Sequence, residues 1–253
     1  MGELKGKRAL VTGAGQGIGT SIAEALLREG CATAIHYYTS KEGAVGLKQL
    51  ADSLGAAAKI FQADLTQEEE VVGFVKAAAG FLGGLDILIN NTGDLVSRVS
   101  LDAIDMAYWQ KVVDVNMTSM MLVTREAKPY LIEAQGASIV NLSSLAGRKG
   151  GGNGSSAYAT MKGAILAWTR TLAAELGPKG VRVNAVAPGL ILGTRFHDTH
   201  TPVKYQDKVI AGIPLGRAGT PAEVARAVVF LAAEYNGFIS GATIDINGGA
   251  YCA

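Results

Sequence analysis

The sequence predicts an α/β fold, in which a doubly wound, mostly parallel sheet of seven strands carries helices on both faces. Short apolar runs alternate with helical patterns, which indicates crossover connections between parallel strands. Glycine or polar residues follow most of these strands, as expected at the ligand-binding edge of such a sheet. The chain has 253 residues, of which 49% are hydrophobic. This is enough for a large core, and we expect one domain over residues 1–253.

Composition excludes several classes of protein. The 23 Lys and Arg residues nearly balance the 22 Asp and Glu residues, so no strong field attracts nucleic acid or an anionic membrane. No apolar run approaches the length of a membrane span. The two cysteines lack zinc or redox spacing, and the amino terminus has no signal-peptide core. We therefore expect a cytoplasmic protein that acts on a small molecule.

A glycine-rich turn connects the first predicted strand (residues 8–12) to an amphipathic helix (residues 20–29). The backbone of such a turn can close on a pyrophosphate, whose charge the helix dipole favours. The spacing is T-G-x-x-x-G-x-G, and its position after the first strand favours a phosphate site over a simple tight turn. The expected cofactor contacts are Gly13, Gly15, Gln16, Gly17, Ile18 and Gly19.

The second strand (residues 31–35) runs into a segment that bears on cofactor choice. A site that prefers NAD usually carries a carboxylate there, but this segment has none. It offers Thr39, Ser40 and Lys41, which could hold a 2′-phosphate, so NADP is favoured over NAD. We expect contacts from Tyr37, Thr39 and Ser40. The alternative is that these residues only begin the next helix, Lys41–Leu54, with Ser40 as its N-cap.

The third strand (residues 58–63) ends at Asp64, which could receive the adenine amino group. Leu65, beside it, is a further expected contact. Residues 66–69 read Thr-Gln-Glu-Glu, which predicts a capping box for the following helix.

The fourth strand (residues 85–89) again ends in polar and glycine residues. A long helical region, residues 101–133, then contains Asn116 among apolar neighbours, where it requires a hydrogen-bond partner. The expected cofactor contacts after the fourth strand are Asn91, Thr92 and Gly93.

The fifth strand (residues 137–142) is followed by two serines. If the alternation of strand side chains continues, Ser143 and Ser144 point to opposite sides, and we select Ser144 as the functional hydroxyl. Residues 148–156 are too glycine-rich for a helix or strand, which predicts a loop that could form a wall of the site.

Tyr158 and Lys162 lie one turn apart on a predicted helix over residues 157–176. A free tyrosine has a pKa of about 10. It is therefore a weak participant in proton transfer at neutral pH unless a cation stabilises its phenolate. Lys162 is placed to be that cation, although such a pair also occurs by chance in many helices.

The sixth strand (residues 181–187) ends at Pro188 and Gly189. Residues 220–223, Thr-Pro-Ala-Glu, predict a capping box for the last helix. A seventh strand is predicted at residues 242–246.

The polar stretch at residues 192–207 is long enough to be a lid, which we place at about residues 190–213. His197 and His200 lie in it. They are too far from any third ligand pattern to suggest a metal, so no metal site is expected.

All of these strand ends fall at one edge of the sheet, which predicts an extended cleft for a dinucleotide with Tyr158 near its reactive end. In this order the motifs resemble those of the short-chain dehydrogenase/reductase family, which implies a Rossmann-type fold. The residues that carry the resemblance are residues 12–19, residues 90–93, Asn116, Ser144, Tyr158, Lys162, Pro188 and Gly189.

The resemblance implies hydride transfer between NAD(P) and a carbonyl or secondary alcohol, as in 3-oxoacyl-(acyl-carrier-protein) reductases and sugar dehydrogenases. It implies a catalytic set of Asn116, Ser144, Tyr158 and Lys162. Lys162 would hold the nicotinamide ribose and lower the phenol pKa, and Asn116 would anchor a water. The further implied cofactor contacts are Tyr158, Lys162, Pro188, Gly189, Ile191 and Thr194.

Two positions depart from the family pattern. Thr92 replaces the alanine of Asn-Asn-Ala-Gly, which we expect to be tolerated. Thr194 comes one residue later than the usual threonine, which favours Ile191, through its backbone, as the contact of the nicotinamide amide.

The segments that border the predicted cleft carry several basic residues, which suggests a polar or anionic substrate such as a keto sugar acid or a carrier-bound 3-oxoacyl group. The polar residues on these segments, several of which are basic, are Asp94, Ser97, Arg98, Arg148, Lys149, His197, His200 and Lys204. The alternative function is a catalytically silent NAD(P)-binding sensor or scaffold. Apolar faces on the helix at residues 156–176 and on the helix with Met117, Met120 and Met121 predict a homodimer or homotetramer.

Overall fold

Seven strands form one sheet in this computed structural model, which describes residues 4–134, 136–233 and 237–252. The strands are β1 (Arg8–Val11), β2 (Ala32–Tyr37), β3 (Ala58–Gln62), β4 (Ile87–Asn90), β5 (Ser138–Leu142), β6 (Arg182–Pro188) and β7 (Thr243–Ile246). Their order is β3-β2-β1-β4-β5-β6-β7, and each neighbouring pair is parallel. The predicted doubly wound parallel sheet is confirmed.

The helices cover both faces of this sheet. They are α1 (Gly17–Arg28), α2 (Lys41–Leu54), α3 (Glu68–Leu82), α4 (Met106–Val113), α5 (Ser119–Glu133), α6 (Leu145–Lys149), α7 (Ser156–Leu176), α8 (Arg195–His200), α9 (Val203–Ile210) and α10 (Pro221–Ala232). Among the described residues, no helix is both long and apolar enough to cross a membrane. Residues 1–3, in the segment where no signal peptide is expected, lie outside the described part of the chain.

Two hydrophobic cores result from the alternation of side chains along the strands. Val11 and Ile89 point to one face, where they pack with α1, α2 and α10. Leu10 and Leu88 point to the other face, where they pack with α3, α5 and α7. Because strands buried on both faces must be apolar throughout, the sequence shows continuous apolar runs there.

The strand order reverses between β1 and β4, because β2 and β3 lie on one side of β1 and β4 to β7 lie on the other. Ligands of open α/β sheets bind at such a switch point, outside the carboxyl ends of the strands. The fold therefore predicts a ligand-binding site beside the residues that follow β1 and β4.

The long predicted helix at residues 101–133 is interrupted in the structure. A 3₁₀ turn at Leu101–Ala103 precedes α4, and a π-helical turn at Asp114–Thr118 separates α4 from α5. Asn116 lies within this π turn. Single π turns inside α-helices often occur at functional sites.

The two predicted capping boxes have different outcomes. The box at Thr220 and Glu223 is present at the start of α10, which confirms that prediction. The box at Thr66 is wrong, because α3 begins at Glu68 with Gln67 as its N-cap. The Thr66 hydroxyl instead donates a hydrogen bond to Asp64 Oδ1 over 2.7 Å.

Short helices occupy parts of two segments that the sequence predicts as loops. Helix α6 extends into residues 148–156 and ends at Lys149, and the following Gly150 has a φ of +85°, which suits glycine. The stretch at residues 192–207 contains α8 and most of α9. Both segments lie above the carboxyl edge of the sheet.

Candidate active site

A cavity of about 580 Å³ lies along the carboxyl edge of the sheet. The predicted site residues on its wall are Gly13, Gly15, Gln16, Gly17, Ile18, Gly19, Tyr37, Thr39, Ser40, Asn91, Thr92, Gly93, Ser144, Tyr158, Lys162, Pro188, Gly189, Ile191 and Thr194. Three other predicted residues, Asp64, Leu65 and Asn116, do not line this wall.

The glycine-rich turn offers a surface that fits a pyrophosphate. A Cβ on Gly15 would lie 2.2 Å from the Ser40 carbonyl oxygen, so this position requires glycine. Gly17 has a φ of +58°, which glycine adopts without strain. Gln16 is the N-cap of α1 but makes no side-chain cap hydrogen bond. The N–H groups of the first turn of α1 are therefore free to bind an anion, which the helix dipole favours.

A buried histidine holds the start of this turn in place. His36 is 1% exposed, and its Nδ1 accepts a hydrogen bond from the Gly13 N–H over 2.9 Å. Its Nε2 lies 3.0 Å from the Ala63 carbonyl oxygen, so Nε2 carries the proton of the neutral ring. Burial lowers the pKa of His36 to about 4, against a weaker opposing effect of the Ala63 hydrogen bond.

Asn91 connects the ends of β1 and β4 at the switch point. Its side-chain amide donates to the carbonyl oxygens of Thr12 and Gly13 over 2.9 and 3.0 Å. In return, Thr12 Oγ1 accepts the N–H groups of Asn91 and Thr92 over 2.9 and 3.1 Å. These bonds fix the glycine-rich turn relative to the segment at residues 90–93.

The end of the cavity beyond β2 is lined by hydroxyl groups and contains no carboxylate among its described lining residues. Tyr37, Thr39 and Ser40 lie there, and Ser40 Oγ donates to Gln16 Oε1 over 3.0 Å. Lys41 does not line the cavity. Asp64 does not line it either, and its Oδ1 accepts hydrogen bonds from the N–H and hydroxyl groups of Thr66.

Tyr158 lies near the other end of the cavity and is 9% exposed. Burial raises its pKa to about 12, and the nearby charge of Asp94 acts in the same direction. A hydrogen bond with Ser144 opposes this effect. The phenol is therefore protonated at neutral pH, in the form that can donate a proton. Phe196 covers it, with ring centroids 5.6 Å apart.

Lys162 is 4% exposed, and its Nζ donates to the Leu142 carbonyl oxygen over 2.9 Å. Burial lowers its pKa to about 8. Its Nζ lies 5.6 Å from the ring centroid of Tyr158. The pKa of Tyr158 is nevertheless raised overall, because burial determines the direction of the net change.

Asn116 lies behind this pair rather than on the cavity wall. It is 0% exposed, and the prediction that it finds hydrogen-bond partners is confirmed. Its Nδ2 donates to the carbonyl oxygens of Asp94 and Val112 over 2.7 and 2.9 Å, and its Oδ1 accepts the Asp94 N–H over 3.2 Å. Gly93 separates it from Lys162: a Cβ there would lie 2.8 Å from Asn116 Oδ1 and 2.8 Å from Lys162 Nζ.

The two serines after β5 have different partners. The Ser143 hydroxyl donates to the Lys162 carbonyl oxygen over 2.7 Å and so supports α7. The Ser144 hydroxyl accepts the Ala146 N–H over 3.1 Å and also interacts with Tyr158. Ser144 is thus the serine whose hydroxyl meets the phenol.

Thr194 faces the glycine-rich turn across the cavity. A Cβ on Gly17 would lie 3.5 Å from the Cβ and methyl group of Thr194. Its hydroxyl donates to the Ile191 carbonyl oxygen over 3.1 Å, and its side chain also caps α8. The late position of this threonine in the sequence does not remove it from the cleft.

Several predicted substrate contacts do not line the cavity. Arg148 forms an ion pair of 2.6 Å with Asp245, and Lys149 donates to the Ala250 carbonyl oxygen. Arg98 donates to two carbonyl oxygens, those of His200 and Asn153. Ser97 and Lys204 also lie off the wall. Four of the basic residues predicted to border the pocket, Arg98, Arg148, Lys149 and Lys204, therefore lie off its wall.

The cavity wall also includes Asp94, Val96, Phe196, His197 and His200, of which Val96 and Phe196 pack in one apolar cluster with Tyr158. Sequence reasoning identified Asp94 and both histidines as bordering the pocket but missed Val96 and Phe196. The signal for Phe196 was present, since it is a large apolar side chain in a polar segment. Among the described residues, no group of three or more His, Cys, Asp or Glu side chains is arranged to hold a metal.

Comparisons with known proteins identify the family. Residues 13–251 match the family model described as Enoyl-(Acyl carrier protein) reductase. The chain belongs to the short-chain dehydrogenase/reductase family. It is 36% identical to an uncharacterised oxidoreductase of Methylorubrum extorquens, over 98% of this chain and 99% of that protein. It is 34% identical to the 3-oxoacyl-[acyl-carrier-protein] reductase FabG of Staphylococcus aureus, over 97% of this chain and 98% of FabG.

Solved structures of the family agree with this assignment. An NADH-dependent reductase, A1-R′, responsible for alginate metabolism has a TM-score of 0.91 and 32% identity over the whole of both chains. A mutant of a Serratia marcescens short-chain dehydrogenase/reductase has a TM-score of 0.92 and 29% identity, over 99% of this chain and 100% of that one. The protein is thus an oxidoreductase of this family with the Rossmann-type fold.

Proposed function

We propose that this enzyme reduces a polar ketone to a secondary alcohol with NADPH, and that the ketone is a keto sugar acid or a 3-oxoacyl thioester. The observation that carries the proposal is the buried Tyr158 phenol beside Ser144, in the same cavity as a glycine-rich turn that fits a pyrophosphate. FabG is a 3-oxoacyl reductase by name, and A1-R′ acts in alginate metabolism, so relatives of both kinds support the two substrate classes.

Bound NADPH would supply the hydride for the carbonyl carbon. Ser144 and Tyr158 would donate hydrogen bonds to the carbonyl oxygen, and Tyr158 would then transfer its proton to that oxygen. A positioned general acid typically contributes about 10²–10⁴ in rate. Lys162 would hold the nicotinamide ribose and stabilise the phenolate left after proton transfer. We assign Asn116 the role of anchoring a water that restores the proton.

The residues that would hold the dinucleotide line the cavity from β1 to β6. The glycine-rich turn would bind the pyrophosphate, and the segment at residues 90–93 would pack beside it. Ile191 and Thr194 would meet the nicotinamide amide. Thr39 and Ser40 would face the adenosine ribose, and we propose NADP over NAD because no carboxylate lies among the described lining residues there to repel a 2′-phosphate.

We also propose a single domain, with residues 190–213 as a lid over the substrate. Phe196 supports the lid, because it links α8 to the phenol of Tyr158. The thiols of Cys31 and Cys252 are both free, which supports a cytoplasmic location. A homodimer or homotetramer through α5 and α7 is supported by the small exposed residues of α7, among them Ala167, Thr171 and Ala174.

Replacement of the phenol tests the reaction. Tyr158→Phe should lower kcat by at least about 10², because the variant retains the ring but has no proton to donate. NADPH affinity, measured by fluorescence titration, should stay within a few-fold of wild type. Substantial turnover in Tyr158→Phe would contradict the assignment.

A coupled spectrophotometric screen tests the substrate and the cofactor. Wild-type enzyme should oxidise NADPH with at least one keto sugar acid or 3-oxoacyl thioester, and with a lower KM for NADPH than for NADH. Turnover with neither substrate class would contradict the proposed function. A lower KM for NADH would reverse the cofactor preference alone.

A further inference from the structure

We infer that Asp94 is a substrate-binding residue, and that its carboxylate accepts a hydrogen bond from a hydroxyl group next to the reacting carbonyl. The inference rests on the proposed reductase function and narrows it. It favours hydroxylated ketones, such as keto sugar acids, over 3-oxoacyl thioesters, whose carbon between the two carbonyls carries no hydroxyl.

The main chain of Asp94 is fixed at the cavity. It follows Gly93 directly, and the side-chain amide of Asn116 binds both its N–H and its carbonyl oxygen, over 3.2 and 2.7 Å. Asn116 is fully buried in the π turn between α4 and α5. A rigid helical element therefore sets the position of a cavity-lining carboxylate.

The next residues form a strained turn, which also indicates a functional site. Val96 has a φ of +66°, the one positive φ among non-glycine residues in the described part of the chain. The Ser97 N–H donates to the Leu95 carbonyl oxygen over 2.8 Å, which closes a γ-turn of the rare positive-φ form. Tyr108 holds this turn by donating to the Ser97 carbonyl oxygen over 2.8 Å.

A β-branched residue at positive φ is costly and persists only where its surroundings enforce it, most often at active sites. Here the turn places the Val96 side chain on the cavity wall, in the same apolar cluster as Tyr158 and Phe196. The reacting carbonyl thus has an apolar wall on the Val96 side and one carboxylate beside it.

The charge of Asp94 is available to a ligand. It is the one carboxylate among the described residues that line the cavity, and its side chain is 50% exposed. Oδ1 lies 3.2 Å from His200 Nε2, whereas Oδ2 has no hydrogen bond within the described residues. No ion pair joins Arg98 to it within the described residues, and the Arg98 guanidinium donates instead to the carbonyl oxygens of His200 and Asn153.

The carboxylate shares the cavity with Tyr158 and Lys162 and follows Gly93, where an added Cβ would lie 2.8 Å from Lys162 Nζ; its charge raises the pKa of both reacting groups. A free carboxylate oxygen at this place binds a hydroxyl donor through a charge-assisted hydrogen bond and repels an anion. The negative end of a sugar acid would therefore bind away from Asp94, with its hydroxyl-bearing carbons toward it.

The test compares two ketones that differ by one hydroxyl group, 1-hydroxybutan-2-one and butan-2-one. We measure kcat/KM for both with NADPH, in the wild type and in Asp94→Ala. The intrinsic reactivity of each ketone is the same for both enzymes. The change in the ratio of the two kcat/KM values, hydroxyketone over ketone, therefore reports the contact between Asp94 and the hydroxyl group. The preference for the hydroxyketone should fall by at least about tenfold in Asp94→Ala, as for a hydrogen bond to a charged group.

Two further variants distinguish the loss of the Asp94 contact from a general structural effect of the substitution. Asp102→Ala removes an exposed carboxylate that does not line the cavity, and it should keep the wild-type ratio. Asp94→Asn keeps an acceptor but removes the charge, so its ratio should be intermediate. Its pH profile should also move: the basic limb of kcat/KM should shift to lower pH, because loss of the negative charge lowers the pKa of Tyr158.

An unchanged ratio in Asp94→Ala would overturn the inference. If neither ketone is turned over, calorimetric titration of the same two ketones into the NADP⁺-loaded enzyme gives the answer. If the wild type binds the hydroxyketone selectively and Asp94→Ala loses this selectivity, the contact is supported even though the reductase function fails. Equal binding in the two enzymes would overturn the contact itself.

Discussion

Gly93 lies between two of the proposed catalytic residues, Asn116 and Lys162. An added Cβ would lie 2.8 Å from Lys162 Nζ and 2.8 Å from Asn116 Oδ1, closer than van der Waals contact permits. Both of these atoms belong to side chains that are at least 96% buried, so neither can move away freely. The position therefore requires glycine for space, without a positive φ.

Gly93→Ala should consequently impair both stability and catalysis. Overpacking of this kind costs about 1–3 kcal/mol in the free energy of unfolding, which urea denaturation measures. NADPH-dependent turnover should fall at least about tenfold, because a displacement of about 1 Å near the reacting groups can cost about 10² in rate. Gly80→Ala is the control. Gly80 lies in α3, where an added Cβ would meet no atom of another element within 4 Å, so this variant should lose neither property.

At the residue scale, the local spacing in the sequence was enough to predict that Ser144, Tyr158 and Lys162 lie together, because strand ends and helical turns have fixed geometry. It could not give the pKa of Tyr158, since burial depends on Phe196 and other residues distant in sequence. Asp64, by contrast, lies off the cavity wall, and its partner is close in sequence: Oδ1 accepts hydrogen bonds from Thr66, which the strand-end pattern does not reveal.

At the scale of elements, a buried polar network connects the middle of the sheet to the helices behind it. Asn90 and Asn141 are paired in the register of β4 and β5. Asn90 Nδ2 donates to Thr124 of α5 and to Asn141 over 3.0 and 2.9 Å, and Asn141 Nδ2 donates to Thr169 of α7 over 3.0 Å. This network ties α7, which carries Tyr158, to the strands beneath the site.

Thr169→Val should therefore destabilise the protein. The substitution preserves the shape of the side chain but leaves the buried Asn141 N–H without its partner, which costs about 1–3 kcal/mol. Chemical denaturation checks the loss. Thr160→Val provides the matched control on the exposed face of the same helix, and an equal loss in the two variants would contradict a role for the network.

Elements with a strong local signal could be predicted, and short ones could not. The seven strands and the start of α10 follow from apolar runs and a capping box, both of which act locally. Helices α6, α8 and α9 contain five to eight residues each. Isolated helices of this length are unstable in water, so tertiary contacts must select them, and composition alone suggested loops.

At the scale of the whole molecule, the protein contains two histidines that are held neutral by burial. The pKa of His36 and that of His197 both lie at about 4, below the ordinary value of 6.5. In the unfolded chain these rings bind protons at higher pH than in the folded one. The free energy of unfolding should therefore be largest above pH 6.5 and decrease as the pH falls through 6.5 toward 4.

His36 gives the clearer prediction, since it is 1% exposed and binds both the glycine-rich turn and Ala63. Between pH 7.5 and pH 5 its contribution should fall by about 2 kcal/mol. His36→Gln has no ring to titrate. Its free energy of unfolding should be lower than that of the wild type at pH 7.5, but should decrease by less between pH 7.5 and pH 5. Urea denaturation at the two pH values measures the difference, above the range in which most carboxylates titrate. An equal loss in wild type and His36→Gln would show that another group governs the acid sensitivity.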